Sequence, residues 1–219
     1  MQKQKVKTGV SLAIIIGSLG FLVFHFFGPS PKIDPRAHIG IGNVLAEQAA
    51  KALGSGGRIT LIVPDTTAFR WPGPEVQLKT FHKALAKAKL TVAATNSVKL
   101  DPGRPMRISA EDFLNLLRKQ SEADVIVTLL SPAAPTAEQR ARIPVKHARV
   151  VAVCTGELPK QVNLPALLEE NIVHVAIVSR PVPALSVPQT DDPAAWFDHF
   201  YETVSTKGLA EISPSVRSP

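Results

Sequence analysis

Cysteine is almost absent from this 219-residue sequence, and the single one, Cys154, excludes any disulfide within the chain. Aromatic residues make up only 5% of the chain, while the net charge of +7 comes from 25 basic and 18 acidic residues. Lys79, Lys83 and Lys87 recur at helical spacing, which indicates a solvated helix face, and Phe81 between them belongs to the apolar stripe of the same helix, so it is not placed to stack on a base. We therefore expect no nucleic-acid partner.

Nucleotide-binding and hydrolase motifs are also missing. Neither G-x-G-x-x-G nor G-x-x-x-x-G-K-[ST] occurs, and the glycine-rich stretch at 54–57 precedes a predicted strand, so it indicates a helix end. The G-x-S-x-G elbow of serine hydrolases is absent. No pair of histidines has the spacing of metal ligands. The sequence therefore predicts no cofactor and no metal site.

Three side chains carry chemistry that could be reactive, Cys154, His147 and His174. Cys154 ends a predicted strand six positions before Lys160, which approximates the C-x5-R loop of tyrosine phosphatases. A lysine cannot hold phosphate with two parallel hydrogen bonds as arginine does, so we expect an inert thiol. His174 lies inside an apolar strand, which indicates a hydrogen-bonded core residue. His147 precedes the fourth strand, at the edge opposite to the long loops described below.

One long hydrophobic run is present, the nineteen residues Gly9–Phe27, which contain no charged residue. A helix of that length measures about 28 Å, close to the hydrocarbon thickness of a bilayer. Bulky phenylalanines end the run, and no small-x-small cleavage site follows. The run predicts an uncleaved signal anchor. A cleaved export signal and a buried core helix are the alternatives.

Charge around this run predicts its orientation. Lys3, Lys5 and Lys7 precede it, so the N-terminus is expected in the cytoplasm and the remainder outside a bacterial-type inner (plasma) membrane. The predicted organisation is a basic tail at 1–8, the single-pass anchor at 9–27, a Pro-rich tether at 28–37, an exported domain at 38–204 and a flexible tail at 205–219.

Strand and helix patterns alternate through the exported part. Short β-branched runs predict strands at 58–63, 90–95, 124–130, 148–153 and 171–178. Predicted helices separate them. Thr136-Ala-Glu-Gln139 predicts a capping box at the start of a short helix, and Asn163 and Asp192 are the predicted caps of the last two helices, the final one extending through Val204. Strands that are apolar on both sides are covered on both sides. We therefore predict a single three-layer α/β/α domain with about five parallel strands, flavodoxin-like or Rossmann-like.

Loop length indicates which edge of this sheet carries a site. Connections entering the strands are short, whereas most of those leaving them are long, as at 64–74, 96–108 and 179–192. Ligands of parallel sheets bind at the carboxyl ends of the strands. The candidate ligand- or partner-binding residues at this edge are Asp65, Thr66, Thr67, Arg70, Trp71, Ser131, Thr155, Glu157 and Arg180. For the loop around Trp71, the alternative is a structural cap on the sheet end.

Two segments carry a resemblance to a known family. The helix-strand sequence at 76–92, followed by the acidic-Ala-Asp tripeptide that opens the segment 122–130, resembles a lobe of the type I periplasmic binding proteins. About 55 residues are involved. The resemblance implies an α/β lobe with a ligand cleft, and it assigns no specific ligand residue. Those proteins have two lobes and this chain has room for one, so a homodimer would have to supply a second wall.

The absence of a complete catalytic set favours a non-enzymatic, membrane-anchored binding or scaffolding domain that takes a protein partner or a small polar ligand. One alternative is an envelope-associated hydrolase or transferase that uses Asp65 and its neighbours. A degenerate lobe that serves only assembly is the other alternative.

Overall fold

A six-stranded sheet forms the centre of the structure, a computed structural model that describes residues 15–21, 33–67, 71–99, 107–182 and 187–206. The strands are β1 (Ile59–Pro64), β2 (Val92–Val98), β3 (Arg107–Ile108), β4 (Val125–Thr128), β5 (Ser131–Pro132), β6 (Arg149–Cys154), β7 (Val175–Ser179) and β8 (Tyr201–Ser205). The order in the main sheet is β2-β1-β4-β6-β7-β8, and β3 pairs with β5 separately. Only β8 runs antiparallel to its neighbour.

Helices connect these strands. They are α1 (residues 15–21), α2 (Pro35–Ala52), α3 (Pro72–Lys87), α4 (Ala110–Arg118), α5 (Ala137–Arg140), α6 (Leu158–Gln161), α7 (Leu164–Glu169) and α8 (Pro193–Phe200). Two of the predicted caps are present, since the Asp192 carboxylate accepts from the Ala194 N–H and Thr136 forms a capping box with Gln139.

Successive residues of the central strands face opposite layers. Leu61 packs in the cluster that contains Phe81 of α3, together with residues of α2 and α8. Its neighbour Ile62 packs in the cluster that contains Phe113 of α4, together with residues of α7. This alternation explains why the strands are apolar on both sides. It confirms the predicted α/β class with a mostly parallel sheet.

The C-terminal region differs from the sequence prediction. The last helix was predicted through Val204, but α8 ends at Phe200 and the chain continues as β8. In this strand Val204 is buried and its neighbour Thr203 is exposed, as expected where successive residues face opposite sides. The aromatic residues that precede the strand have helical spacing, and they led to the prediction of a longer helix. The sheet therefore has a sixth, antiparallel strand in addition to the five predicted parallel ones.

Two local features at helix starts differ from the sequence interpretation. The first helix of the domain begins at Pro35, inside the segment 28–37 that was predicted as a tether, because the Asp34 carboxylate accepts from the Arg36 N–H and starts the helix. Asn163 precedes α7 with a left-handed φ of 50°, and its side chain makes no capping hydrogen bond.

Residues 15–21 are the described part of the run Gly9–Phe27, and they are helical and exposed. The rest of that run lies outside the described residues. Within the described ranges, no helix combines the length and hydrophobicity needed to cross a bilayer.

Candidate functional site

The five parallel strands end at one edge of the sheet, which we call the carboxyl edge. On its β1 side, the Asp65 carboxylate accepts from the N–H of Thr67 at 3.0 Å and from its hydroxyl at 2.7 Å. These hydrogen bonds, with a smaller contribution from the charge of Lys99, lower the pKa of Asp65. Thr66 is half-buried and Thr67 is exposed. The loop is thus an ordered turn that holds an ionised carboxylate.

The remaining candidates on this side belong to the segment that leads into α3. Trp71 is half-buried at the N-cap position of α3, where its side chain makes no capping hydrogen bond. Arg70 lies outside the described residues, so its candidacy stays a prediction.

The middle of the carboxyl edge is closed. Ser131 is fully buried, and its hydroxyl lies 3.1 Å from the Cys154 sulfur. Burial raises the pKa of the Cys154 thiol to about 12, so the thiol is inert as expected. Because the Ser131 hydroxyl is enclosed with this thiol, we leave Ser131 out of the candidate site.

A cavity of about 250 Å³ opens where β6 and β7 end, and we call it the carboxyl-edge cavity. Ser179 accepts from the Gly156 N–H at 3.0 Å, which leaves its hydroxyl proton available to a ligand. Arg180 donates through Nε to the Tyr201 carbonyl at 2.9 Å, so β8 fixes the guanidinium at the rim. The lining residues are Gly156, Glu157, Pro159, Lys160, Val178, Ser179, Arg180 and Pro181.

The structure separates the sequence-predicted residues into two groups. Glu157 and Arg180 line the carboxyl-edge cavity, whereas half-buried Thr155 is not among its lining residues. Asp65 follows β1, three strand spacings from β7, which corresponds to about 14 Å. A ligand of ordinary size in the cavity therefore does not reach Asp65. Among the described residues, no three His, Cys, Asp or Glu side chains are grouped to hold a metal ion.

Sequence reasoning missed Ser179 and Lys160 of this cavity. Ser179 is the last residue of β7, so its position at a strand end was the signal that could have found it. Lys160 lies in α6, 3.5 Å from Glu157, and this short helix was not predicted. Gly156 adopts a φ of +66°, which lets the chain turn sharply after β6 and brings its N–H to Ser179.

Comparisons with known proteins find similarity at the level of structure alone. No protein-family model matches the chain, and no curated protein matches its sequence. A sugar-binding protein of a sugar ABC transporter from Bacillus halodurans has 12% identity and a TM-score of 0.49, covering 80% of this chain and 64% of that one. A periplasmic ribose ABC transporter protein from Conexibacter woesei has 13% identity and a TM-score of 0.49, covering 80% and 59%.

An arabinose-binding protein from Geobacillus stearothermophilus likewise has 12% identity and a TM-score of 0.49, covering 80% of this chain and 63% of that one. The chain thus spans less than two thirds of the length of each of these three structures. All three are proteins of sugar binding or sugar transport.

Proposed function

We propose that this chain is an extracytoplasmic binding domain, tethered to the membrane by Gly9–Phe27, which takes a small polar ligand in the carboxyl-edge cavity. One observation supports the ligand site most directly. The cavity collects a guanidinium, an ammonium, a carboxylate and a serine hydroxyl in about 250 Å³. Such a mixture of donors and acceptors fixes the orientation of a polar molecule.

Exposure in α1 supports the tether. Four large apolar side chains in seven consecutive residues, Ile15, Ile16, Leu19 and Phe21, are each more than half exposed. Water is an unfavourable environment for such a continuous apolar surface, and a bilayer is a favourable one.

Asp65 supports a binding role over an enzymatic one. Its carboxylate is held ionised by Thr67, so it is not suited to act as a general acid. In the middle of the carboxyl edge, the buried Ser131 and Cys154 hydrogen-bond each other, so neither is open to a substrate. The hydrolase or transferase alternative would therefore rest on the Thr67 hydroxyl, which donates to the Asp65 carboxylate.

Ligand binding by the solubilised full-length chain tests this proposal. Isothermal titration with monosaccharides, amino acids and small dicarboxylates covers uncharged, zwitterionic and anionic ligands. For whichever class binds, Arg180→Gln should weaken the affinity by about tenfold or more, since a charge-assisted hydrogen bond is lost. Arg118→Gln, on the exposed side of α4, should leave the affinity unchanged.

Two outcomes would contradict the ligand proposal. Equal affinities of the Arg180→Gln and Arg118→Gln proteins would place the ligand elsewhere. A protein that co-purifies from membranes with the wild-type chain and is lost on Trp71→Ala, without any small-molecule binding, would favour the scaffolding role.

A further inference from the structure

A second cavity, of about 590 Å³, lies at the amino edge, where the parallel strands begin. We call it the amino-edge cavity. The Gly54 N–H donates to the Ala123 carbonyl at 2.9 Å and joins two of its walls. The lining residues are Gly54, Glu122, Ala123, Val145, Lys146, His147, Arg149, Asn171 and His174. None of them belongs to the carboxyl-edge cavity.

Two imidazole rings meet in this cavity, with centroids 5.6 Å apart in an edge-to-face arrangement. His147 Nδ1 lies 2.9 Å from the Ala148 carbonyl, which only accepts, so Nδ1 carries a proton. His174 Nδ1 accepts from the Val150 N–H at 3.2 Å, so the proton of the neutral ring is on Nε2. Backbone contacts therefore give the two rings opposite tautomers. His174 offers a donor at Nε2, and neutral His147 offers an acceptor at Nε2.

Both Nε2 atoms are open to solvent. In the described part of the chain, neither Nε2 atom has a hydrogen-bond partner. Every buried side-chain nitrogen there has a partner, so neither Nε2 atom is buried. Both rings line the cavity, so a ligand that occupies it contacts both imidazoles. The same tautomers disfavour a metal ion, because His174 Nε2 keeps its proton while Nδ1 accepts from the backbone.

The charges around the rings favour an anion. Arg149 donates through one nitrogen to the Ala52 carbonyl at 2.8 Å, which leaves other guanidinium protons available. Lys146 pairs with Glu122 at 3.1 Å, so the charge of Arg149 is the uncompensated one among the lining residues. Burial, followed by the charges of His147 and Arg149, lowers the pKa of His174 to about 4, which keeps this ring neutral and its donor at Nε2.

We propose that the amino-edge cavity binds a small oxyanion that carries an acidic O–H, the chemistry of a hydrogen phosphate group. The anion's oxygens accept from His174 Nε2–H and from the Arg149 guanidinium, while its O–H donates to His147 Nε2. A sulfate ion satisfies the two donors but brings no proton for His147, so it gains that contact only when the imidazole takes up a proton from solvent, which is disfavoured at about pH 8. The arrangement therefore discriminates between two tetrahedral anions of similar size.

Titration of the full-length chain with inorganic phosphate and with sulfate at about pH 8, where hydrogen phosphate keeps its O–H, tests this proposal. Phosphate should bind about tenfold more tightly, the factor expected for one hydrogen bond to a charged partner. His147→Phe removes the acceptor and should reduce phosphate affinity to that for sulfate. His82→Phe, on the exposed side of α3, is the matched control and should keep the tenfold preference.

Imidazole nitrogen NMR gives a readout that does not depend on a variant. Phosphate should shift the Nε2 resonances of His147 and His174 and leave that of His82 in place. Equal affinities for the two anions, binding of neither anion, or an unchanged His147 resonance at saturating phosphate would each overturn the proposal.

Glycerol phosphate has mostly lost its acidic O–H at this pH, because the second pKa of a phosphate monoester is about 6. It should therefore bind more weakly than inorganic phosphate, which would indicate the free ion as the natural ligand, whereas equal or tighter binding would overturn the role given to His147. Arg180→Gln should not affect phosphate binding at the amino edge, so failure here leaves the proposal for the carboxyl edge untouched.

Discussion

Asp124 is the residue with the most constrained polar environment at the amino edge. Its side chain is 2% exposed, and its carboxylate accepts from the Ser121 N–H at 2.8 Å, the Ser121 hydroxyl at 2.9 Å and the Arg58 N–H at 2.8 Å. Burial alone would raise its pKa, but these hydrogen bonds outweigh burial and lower the pKa to about 2. The aspartate of the acidic-Ala-Asp tripeptide thus joins the turn before β4 to the start of β1.

Asp124→Asn should destabilise the fold by about 2–4 kcal/mol, because an amide NH₂ would face donors that now bind a carboxylate oxygen. Urea unfolding followed by circular dichroism measures this loss. Asp198→Asn, on the exposed side of α8, is the control and should change the free energy of unfolding by less than about 0.5 kcal/mol. A similar effect of both variants would show that the hydrogen bonds to Asp124 contribute little.

At the scale of elements, glycine sets how closely α2 approaches α3. A Cβ atom on Gly42 would lie 2.6 Å from the Gln77 carbonyl oxygen and 2.8 Å from the Thr80 Cβ. Backbone cannot yield to such a contact as a flexible side chain can, so the two helices would have to separate. The glycine accordingly serves packing, although glycine disfavours a helix interior.

Gly42→Ala should lower the free energy of unfolding by about 1–2 kcal/mol, since the overpacking cost exceeds the gain of up to about 1 kcal/mol in helix propensity. The control is Asn43→Ala at the neighbouring exposed position of α2, where an alanine side chain makes no clash. Thermal unfolding of both variants measures the difference. A stabilised Gly42→Ala protein would mean that α2 and α3 can separate at no cost.

Across the whole molecule, the fold gives the two edges different neighbours. Helix α2 precedes β1 and runs antiparallel to it, so α2 begins at the carboxyl edge, where Arg36 pairs with Asp191 at 2.6 Å. The proposed tether therefore reaches the domain at the edge that holds the carboxyl-edge cavity. The amino-edge cavity lies at the far end of the same strands.

Acidification should destabilise the domain in the pH range between the unfolded and the folded pKa of His174. Its pKa is 6.5 in an unfolded chain and about 4 in the folded one, so between these values the unfolded state binds more protons and stability falls as pH falls. The ring is partly solvated, and the expected loss is therefore only on the order of 1–2 kcal/mol.

Urea unfolding at several pH values measures this slope. His174→Gln keeps an acceptor for the Val150 N–H but does not titrate, so its stability should change less over the same range. His82→Gln should retain the wild-type slope. If the His174→Gln and wild-type profiles coincide, another group is responsible.

Much of the fold follows from local sequence. β-Branched runs predicted all five parallel strands, and the Asp192 and Thr136 caps were located because capping chemistry depends on residues within one turn. The β8 strand was missed because Tyr201–Ser205 is stabilised by its pairing with β7, a contact absent from the local pattern.

For the candidate site, sequence alone predicted a ligand at the carboxyl edge, which stays a prediction, and it named Glu157 and Arg180, which line the cavity there. Tertiary structure decided that Ser131 is enclosed with Cys154, that Asp65 lies about 14 Å from β7, and that a cavity forms at the amino edge. The physical reason is that hydrogen bonding and hydrophobic periodicity within an element are encoded by neighbouring residues. Burial, side-chain tautomers and cavities arise only when distant segments such as 145–149 and 171–174 pack together.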